Sequence, residues 1–310
     1  MRLGTRGSVL ALAQARFVAE LLDDAEIVTI TVSGDRQVAP GEKSRWVDAI
    51  EDALLAGEID LAVHSAKDMP ATLADGLELL GAPERAAAED VLCTRVALGA
   101  VDGHGPQDAD VHALPTGARL GTSSVRRAAQ LRAAREDVEI VPVSGNVDTR
   151  LRKLAEGDLD GVVLARAGLQ RLGREAEVTV MLDPERFVPS PGQGTLALQG
   201  RADDAQTRSV AEAITHERTY ACLRAERALA VALGASCNTP LGAHAVDAGC
   251  GCLHLRAWIG LPDGSQWIAD ELLGGFYEPE QLGRRMAERL QSVGVEELLR
   301  SAEEMAIDRA

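Results

Sequence analysis

Apolar and polar positions follow two rhythms along the chain, and the order in which they alternate predicts an α/β protein. Leu10, Ala13, Phe17 and Leu21 fall at helical spacing behind Ser8, whose hydroxyl can cap the first turn. Ile27 to Val32 is a β-branched run of strand length. After a loop from Arg36 to Glu42, a helical pattern from Ser44 to Ala56 stops at Gly57. Ile59 to Val63 is then nearly all apolar, the pattern of a parallel strand covered on both faces. It breaks at once into His64, Ser65, Lys67 and Asp68, and Pro70 ends regular pairing. Ligands of open α/β sheets sit beyond the carboxyl ends of the strands. Four polar side chains there point to a binding or catalytic loop; the simpler alternative is a polar exit with Asp68 capping the next segment.

The same pattern returns further on. Arg119-Leu120-Gly121-Thr122-Ser123-Ser124-Val125 repeats Arg2-Leu3-Gly4-Thr5-Arg6-Gly7-Ser8-Val9 with one residue fewer, and Gln130 answers Gln14. A strand (Glu139 to Val143), a Gly145-Asn146 turn and a helix ending at Gly157 follow. Leu154 to Val163 then matches Leu54 to Val63. Two matches in the same order, roughly 100 to 120 residues apart, predict two similar lobes with parallel strands and right-handed crossovers. In each lobe a glycine loop feeds a helix N-terminus, where free N–H groups and the dipole favour anions. Two such lobes face to face form an anion-binding cleft. Val188 to Gly194 is a stiff Pro/Gly passage, and Thr195 to Gln199 alternates like a strand returning to the first lobe. A long helix ending near Leu233, three β-prone pieces (about 242–246, 253–259 and 266–272) and two helices then form a smaller domain. The expected domains are 1–95 with 195–212, 96–194, and 213–310.

Composition narrows the function. Aromatic residues are 3% of the 310, so the core must be built from Ala, Val and Leu. A formal charge of −16 argues against non-specific binding to nucleic acid or anionic membranes. No apolar run approaches the roughly 20 residues that span a bilayer, and the N-terminus lacks the apolar core of a signal peptide. Five scattered cysteines suit a reducing compartment, so the cytoplasm is expected. No cysteine or histidine spacing matches a metal site.

Against that acidic background the placement of arginine is informative. Arg126 and Arg127 lie in the first turn of an expected helix, where positive charge is unfavourable by roughly 0.3–1 kcal/mol each. Arg6, Lys43, Lys67, Arg150, Arg166 and Arg171 stand in loops or helix starts of the two repeats. Any one alone reads as a solvated surface ion pair. As a set they predict a ligand with several carboxylates, which guanidinium binds in two-pronged fashion. Cys237 sits in a glycine-flanked loop, where sulfur is more exposed to reaction or covalent modification than in an apolar element. Cys93, Cys222, Cys250 and Cys252 read as ordinary cysteines.

Six of these segments together resemble the porphobilinogen deaminase (hydroxymethylbilane synthase) family. They are Gly4 to Ser8 with Leu10 to Gln14, Ala62 to Pro70, Gly121 to Arg127, Gly145 to Arg150, Pro191 to Gly194 and Cys237 to Gly242. The resemblance implies two periplasmic-binding-protein-like α/β domains around a cleft, plus a C-terminal α+β domain with a three-stranded antiparallel sheet. It implies a transferase of haem and porphyrin biosynthesis that deaminates four porphobilinogen molecules and joins them head to tail. The chain grows on a dipyrromethane cofactor, attached through a thioether to the sulfur matching Cys237, and leaves by hydrolysis as linear hydroxymethylbilane. Asp68 matches the catalytic aspartate; a fixed carboxylate stabilises the positive charge that develops on pyrrole nitrogens and can shuttle protons. By matching position, Lys67, Ser124, Arg126, Arg127, Asn146 and Arg150 are expected to hold the cofactor. Arg6, Ser8, Arg171, Gln193 and Lys43 are expected at the substrate. Each ring's acetate and propionate would be the carboxylates that the arginines call for. A monomer is expected, with no nucleic-acid or membrane partner. The rival class is a non-enzymatic two-lobed anion-binding protein of the solute-binding kind, which needs neither a loop cysteine nor a third domain.

Overall fold

The computed structural model describes residues 1–23, 25–31, 44–95, 111–236 and 238–307. The opening repeat folds as anticipated: β1 (Arg2–Arg6), α1 (Val9–Leu21) capped by the Ser8 hydroxyl on the Ala11 amide, β2 (Glu26–Ile30), α2 (Ser44–Leu55) and β3 (Leu61–Ser65). β3 is displaced two residues from the apolar run, so His64 and Ser65 belong to the strand and Ile59 to the turn before it. Ile59 is fully buried against Gly4, where any Cβ would collide with its side chain. β4 (Leu77–Gly81) and β5 (Asp90–Thr94) follow.

The second repeat comprises β6 (Arg119–Gly121), α3 (Val125–Ala134), β7 (Glu139–Val141), α4 (Val147–Glu156), β8 (Gly161–Ala165), α5 (Arg166–Arg171) and β9 (Val180–Met181). Gly121 is the counterpart of Gly4, hemmed in by Leu159, Val143 and Val162. β10 (Leu196–Arg201), α6 (Ala205–Ala213) and α7 (Glu217–Ala232) lead to a meander, β11 (Leu241–Gly249), β12 (Cys252–Gly260) and β13 (Trp267–Gly275). The described chain closes with α8 (Pro279–Ser292) and α9 (Val295–Ile307).

The strands form two five-stranded sheets, ordered β2-β1-β3-β10-β4 and β7-β6-β8-β5-β9, and one antiparallel sheet, β11-β12-β13. The two larger sheets have one plan. Three parallel strands adjoin an antiparallel strand donated from the far side of a crossover: β10 returns beside β3, and β5 lies beside β8. Residues 90–94, assigned from the sequence to the first lobe, therefore lie in the second lobe's sheet. The connection between lobes is residues 82–89, paired with a return over 182–195. Both transferred strands sit between two neighbours, which ties each lobe to the other through its own sheet.

β3 shows why the pleat works here: Leu61 and Val63 enter one core with Leu3, Val18 and Leu198, while Ala62 joins Ile50, Leu54 and Ile59 on the other face. The largest fully buried side chains are leucines and isoleucines, as the shortage of aromatics requires. A third core joins α7, α8 and α9 to the antiparallel sheet.

Candidate active site

At the carboxyl end of β3 the chain makes a single 3-10 turn, Ala66–Asp68, and runs extended into Pro70. The turn is held from several sides. The Ser65 hydroxyl and the Gln14 amide of α1 bond each other (2.8 Å from Gln14 Nε2), and the Ala66 amide donates to Thr195 O at 3.0 Å. Ala66 and Met69 are buried against Ala197 and Leu223. From α7, Arg227 Nη2 donates to Pro70 O and Ala71 O at 3.0 and 2.9 Å. Asp68 is thereby presented half-buried in a pocket of about 520 Å³ lined by Thr5, Arg6, Ser8, Gln14, His64 and Ser65, among others. A second pocket of about 420 Å³ shares Leu10, Gln14 and Ser65 with the first. It is lined by Lys67 from the first lobe, Arg171 from the second, and Gly192, Gly194 and Thr195 from the return connection. The two pockets make one cleft between the lobes.

Arg126 and Arg127, at the start of α3, are buried rather than displayed. Asp90, the first residue of β5, receives Arg126 Nη2 on one oxygen at 2.7 Å and Arg127 Nε and Nη2 on the other at 3.0 and 2.7 Å. Burial alone would raise the Asp90 carboxyl; the two guanidinium groups and the bonds from Arg127 and Gln193 outweigh it and hold the group well below the carboxylate range. The anion that the arginine pair called for is thus partly internal, leaving one positive charge in excess. Sequence reasoning missed Asp90 because a carboxylate opening an apolar run gives no sign of the partner across the fold.

Gln193 is almost fully buried and links the groups: its amide donates to Asp90 at 2.8 Å and to Ala88 O at 2.7 Å, and its Oε1 accepts from Lys67 Nζ at 3.4 Å. Arg85 Nε donates to the Gln193 carbonyl at 2.8 Å, and Arg85 Nη1 pairs at 2.7 Å with fully buried Glu226 of α7, which also accepts the Gly192 and Ala245 amides. One carboxylate of the third domain therefore clasps both connections between the lobes. This too had no sequence signal beyond an acid on the apolar side of a helix.

Arg150 and Arg171 differ from the paired arginines. Arg150 Nε donates to Gly145 O at 2.9 Å and Arg171 Nη2 to Gly194 O at 2.7 Å; neither has an ion pair among the described residues. Burial pushes both guanidinium groups down to about 10, with Arg127 lowering Arg150 further and Asp68 pulling it back up. Asp68 and Arg150 thus sense each other across the cleft. Desolvated cations without a carboxylate are costly, and an anionic ligand would offset that cost. Arg166, by contrast, is taken by Glu89 and Glu175. Ser124 and Asn146 cap α3 and α4, accepting from the Arg127 and Thr149 amides.

Lys43 and Cys237 lie outside the described residues. Among the described neighbours of Cys237, the Ser236 amide donates to Thr239 Oγ1 at 2.9 Å and the Asn238 amide to Ser236 Oγ at 3.2 Å. Beyond it, the Ala243 amide donates to Pro189 O at 2.8 Å, tying the start of β11 to the return connection. The Cys93 and Cys222 thiols are buried and pushed up to about 12 by that burial, so neither is a nucleophile.

Two α/β lobes, with a carboxylate on one and desolvated guanidinium groups on the other, define a two-lobed protein whose cleft is suited to an anion. Comparison with known proteins makes the class specific. Residues 1–209 match the family model described as porphobilinogen deaminase, dipyromethane cofactor binding domain, and residues 220–292 match the porphobilinogen deaminase C-terminal domain. The chain is 41% identical over 314 residues to the porphobilinogen deaminase of Deinococcus radiodurans, covering 97% of this chain and 98% of that one. It is 42% identical over 302 residues to the Thermus thermophilus protein of the same name, covering 96% and 97%. The chain belongs to the porphobilinogen deaminase family. Among solved structures, the periplasmic VFT2 domain of Bordetella pertussis BvgS is 16% identical with a TM-score of 0.40, covering 69% of this chain and 86% of that domain.

Proposed function

We propose that Asp68 is the catalytic carboxylate of this chain and that Arg150 and Arg171, with Arg6 and Lys67, hold the carboxylates of what is bound around it. The chain is a hydroxymethylbilane synthase, a transferase that joins four porphobilinogen molecules into linear hydroxymethylbilane with loss of ammonia. The observation that supports the site reading is the half-buried Asp68 within electrostatic reach of Arg150, with Arg171 lining the adjoining pocket and neither arginine ion-paired among the described residues.

The same arginines fit the family's dipyrromethane cofactor, whose rings carry acetate and propionate groups; Arg150, Lys67, Ser124, Asn146 and the excess charge of the Arg126–Arg127 pair would hold it, with Cys237 as its point of attachment. When bound, the cofactor supplies the pyrrole terminus on which the product is extended. Asp68 accepts a hydrogen bond from the substrate's ring N–H and stabilises the positive charge left on that ring as the amine departs. Its carboxylate also holds the proton exchanged at each addition. Arg6, Ser8, Gln193, Arg171 and Lys43 orient the substrate.

We further propose that the first domain comprises 1–89 with 195–212, that 90–194 form the second, and that 213–310 form the third, which carries Cys237. The proposed working form is a cytoplasmic monomer without a nucleic-acid partner, consistent with a charge of −16. No helix among the described residues is long and apolar enough to cross a membrane. The purified chain given porphobilinogen is expected to release ammonia and a linear tetrapyrrole in a ratio of four to one. Consumption without ammonia, or none at all, contradicts the assignment.

A further inference from the structure

A buried polar chain that the mechanism above does not use ends at His64, which lines the Asp68 pocket. His64 and Gln199 lie on one face of the antiparallel β3–β10 pair, two register steps apart, with His64 opposite Ala197 and Gln199 opposite Ala62. His64 Nε2 is 2.8 Å from Gln199 Oε1, and Gln199 Nε2 donates to Glu51 Oε1 of α2 at 2.6 Å. All three residues are buried, Gln199 completely. Apolar side chains would fill this space at lower cost, since each buried polar group must be desolvated.

The order of donors fixes the histidine's chemistry. A carboxylate only accepts, and Glu51 also receives the Ala74 amide at 3.5 Å, so the Gln199 amide nitrogen must face Glu51. Gln199 Oε1 then faces His64 and can only accept. His64 Nε2 therefore carries the ring proton, and Nδ1 is left with a lone pair on a side chain that lines the pocket beside Asp68. Burial pushes the imidazole down to about 4 against the bond from Gln199; Arg227 and Arg6 lower it further, and Asp68 opposes them. The ring stays neutral at neutral pH. Its free Nδ1 therefore serves as a hydrogen-bond acceptor rather than as a base for the leaving amine's proton.

We propose that His64 touches the substrate, its Nδ1 accepting from an aminomethyl N–H of the porphobilinogen whose ring N–H bonds Asp68, and that Gln199 and Glu51 are positioning residues that lock the tautomer. This rests on the assignment of the Asp68 pocket to porphobilinogen. It gives the site a neutral acceptor beside a charged one, so that an N–H substrate is oriented without a second base competing for its proton.

Two substitutions separate this role from simple packing. Asn places an amide oxygen near the position of Nδ1, whereas Gln places its polar group near Nε2. His64→Gln is expected to raise KM for porphobilinogen about tenfold, the loss of one hydrogen bond, with kcat changed far less. His64→Asn should stay within about threefold of the unaltered holoenzyme. In 15N-histidine spectra of that holoenzyme, His64 should be the Nε2–H tautomer and should not titrate between pH 6 and 8; Glu51→Gln should abolish the single tautomer. Equal KM values in all three proteins, or an Nδ1–H tautomer in the unaltered one, would overturn the proposal, and the spectra decide it even if a variant fails to fold. If the unaltered holoenzyme consumes no porphobilinogen, the functional assignment falls instead.

Discussion

Asp68→Asn leaves a folded protein whose kcat for porphobilinogen is about two to three orders of magnitude lower, the usual effect of removing one group aimed at developing charge. The fold is expected to survive because the turn has anchors on both sides of the carboxylate. Ser65 bonds Gln14, the Ala66 amide bonds Thr195, and Arg227 grips the Pro70 and Ala71 carbonyls. The amide keeps an oxygen that can accept from a ring N–H, so binding changes little. It loses the negative charge, and with it the stabilisation that matters only as the substrate becomes cationic. Steady-state rates with an unchanged circular dichroism spectrum check this; a variant within a few-fold of the unaltered rate would remove Asp68 from the mechanism.

Asp90→Asn should be as damaging to stability as Asp68→Asn is to turnover. Arg126 and Arg127 are 4% and 8% exposed, and Asp90 neutralises one of the two charges. Without the carboxylate both cations remain buried, a loss of about 3–5 kcal/mol. The midpoint of urea unfolding reads this directly. The pH dependence has a definite sign. The folded-state carboxyl is held below its unfolded value near 4, so its contribution is complete above that value and is lost as pH falls toward the folded one. The gap between unaltered protein and variant should therefore be constant at neutral pH and shrink below about pH 4. An equal midpoint at pH 7 would show that Asp90 does not carry the pair.

Asp90 also marks where sequence reading reached its limit. The two repeats were legible because Gly4 and Gly121 recur with the same capped helix, and that symmetry is local. The strand exchange was not, because β5 has only three apolar residues, between Asp90 and Thr94, and its partner β8 lies far along the chain. Whether such a run pairs with what precedes or follows it is a property of the assembled sheets. Arg126 and Arg127 were picked out by charge at a helix start, but that they are held internally depends on Asp90, placed by that same exchange. Arg150 and Arg171 bond only backbone carbonyls and have no ion pair among the described residues, whereas Arg166 is held by Glu89 and Glu175. His64 was noticed only as one of four polar residues at a strand end; its partners Gln199 and Glu51 come from two other elements.

If this cleft works around a primer carried by the chain itself, the intact mass of the purified active protein reveals it. The mass should exceed that of the 310-residue sequence by one dipyrromethane, and Cys237→Ser should return it to the bare chain with loss of turnover. An active protein at the unmodified mass, or an adduct that persists in Cys237→Ser, would contradict the account.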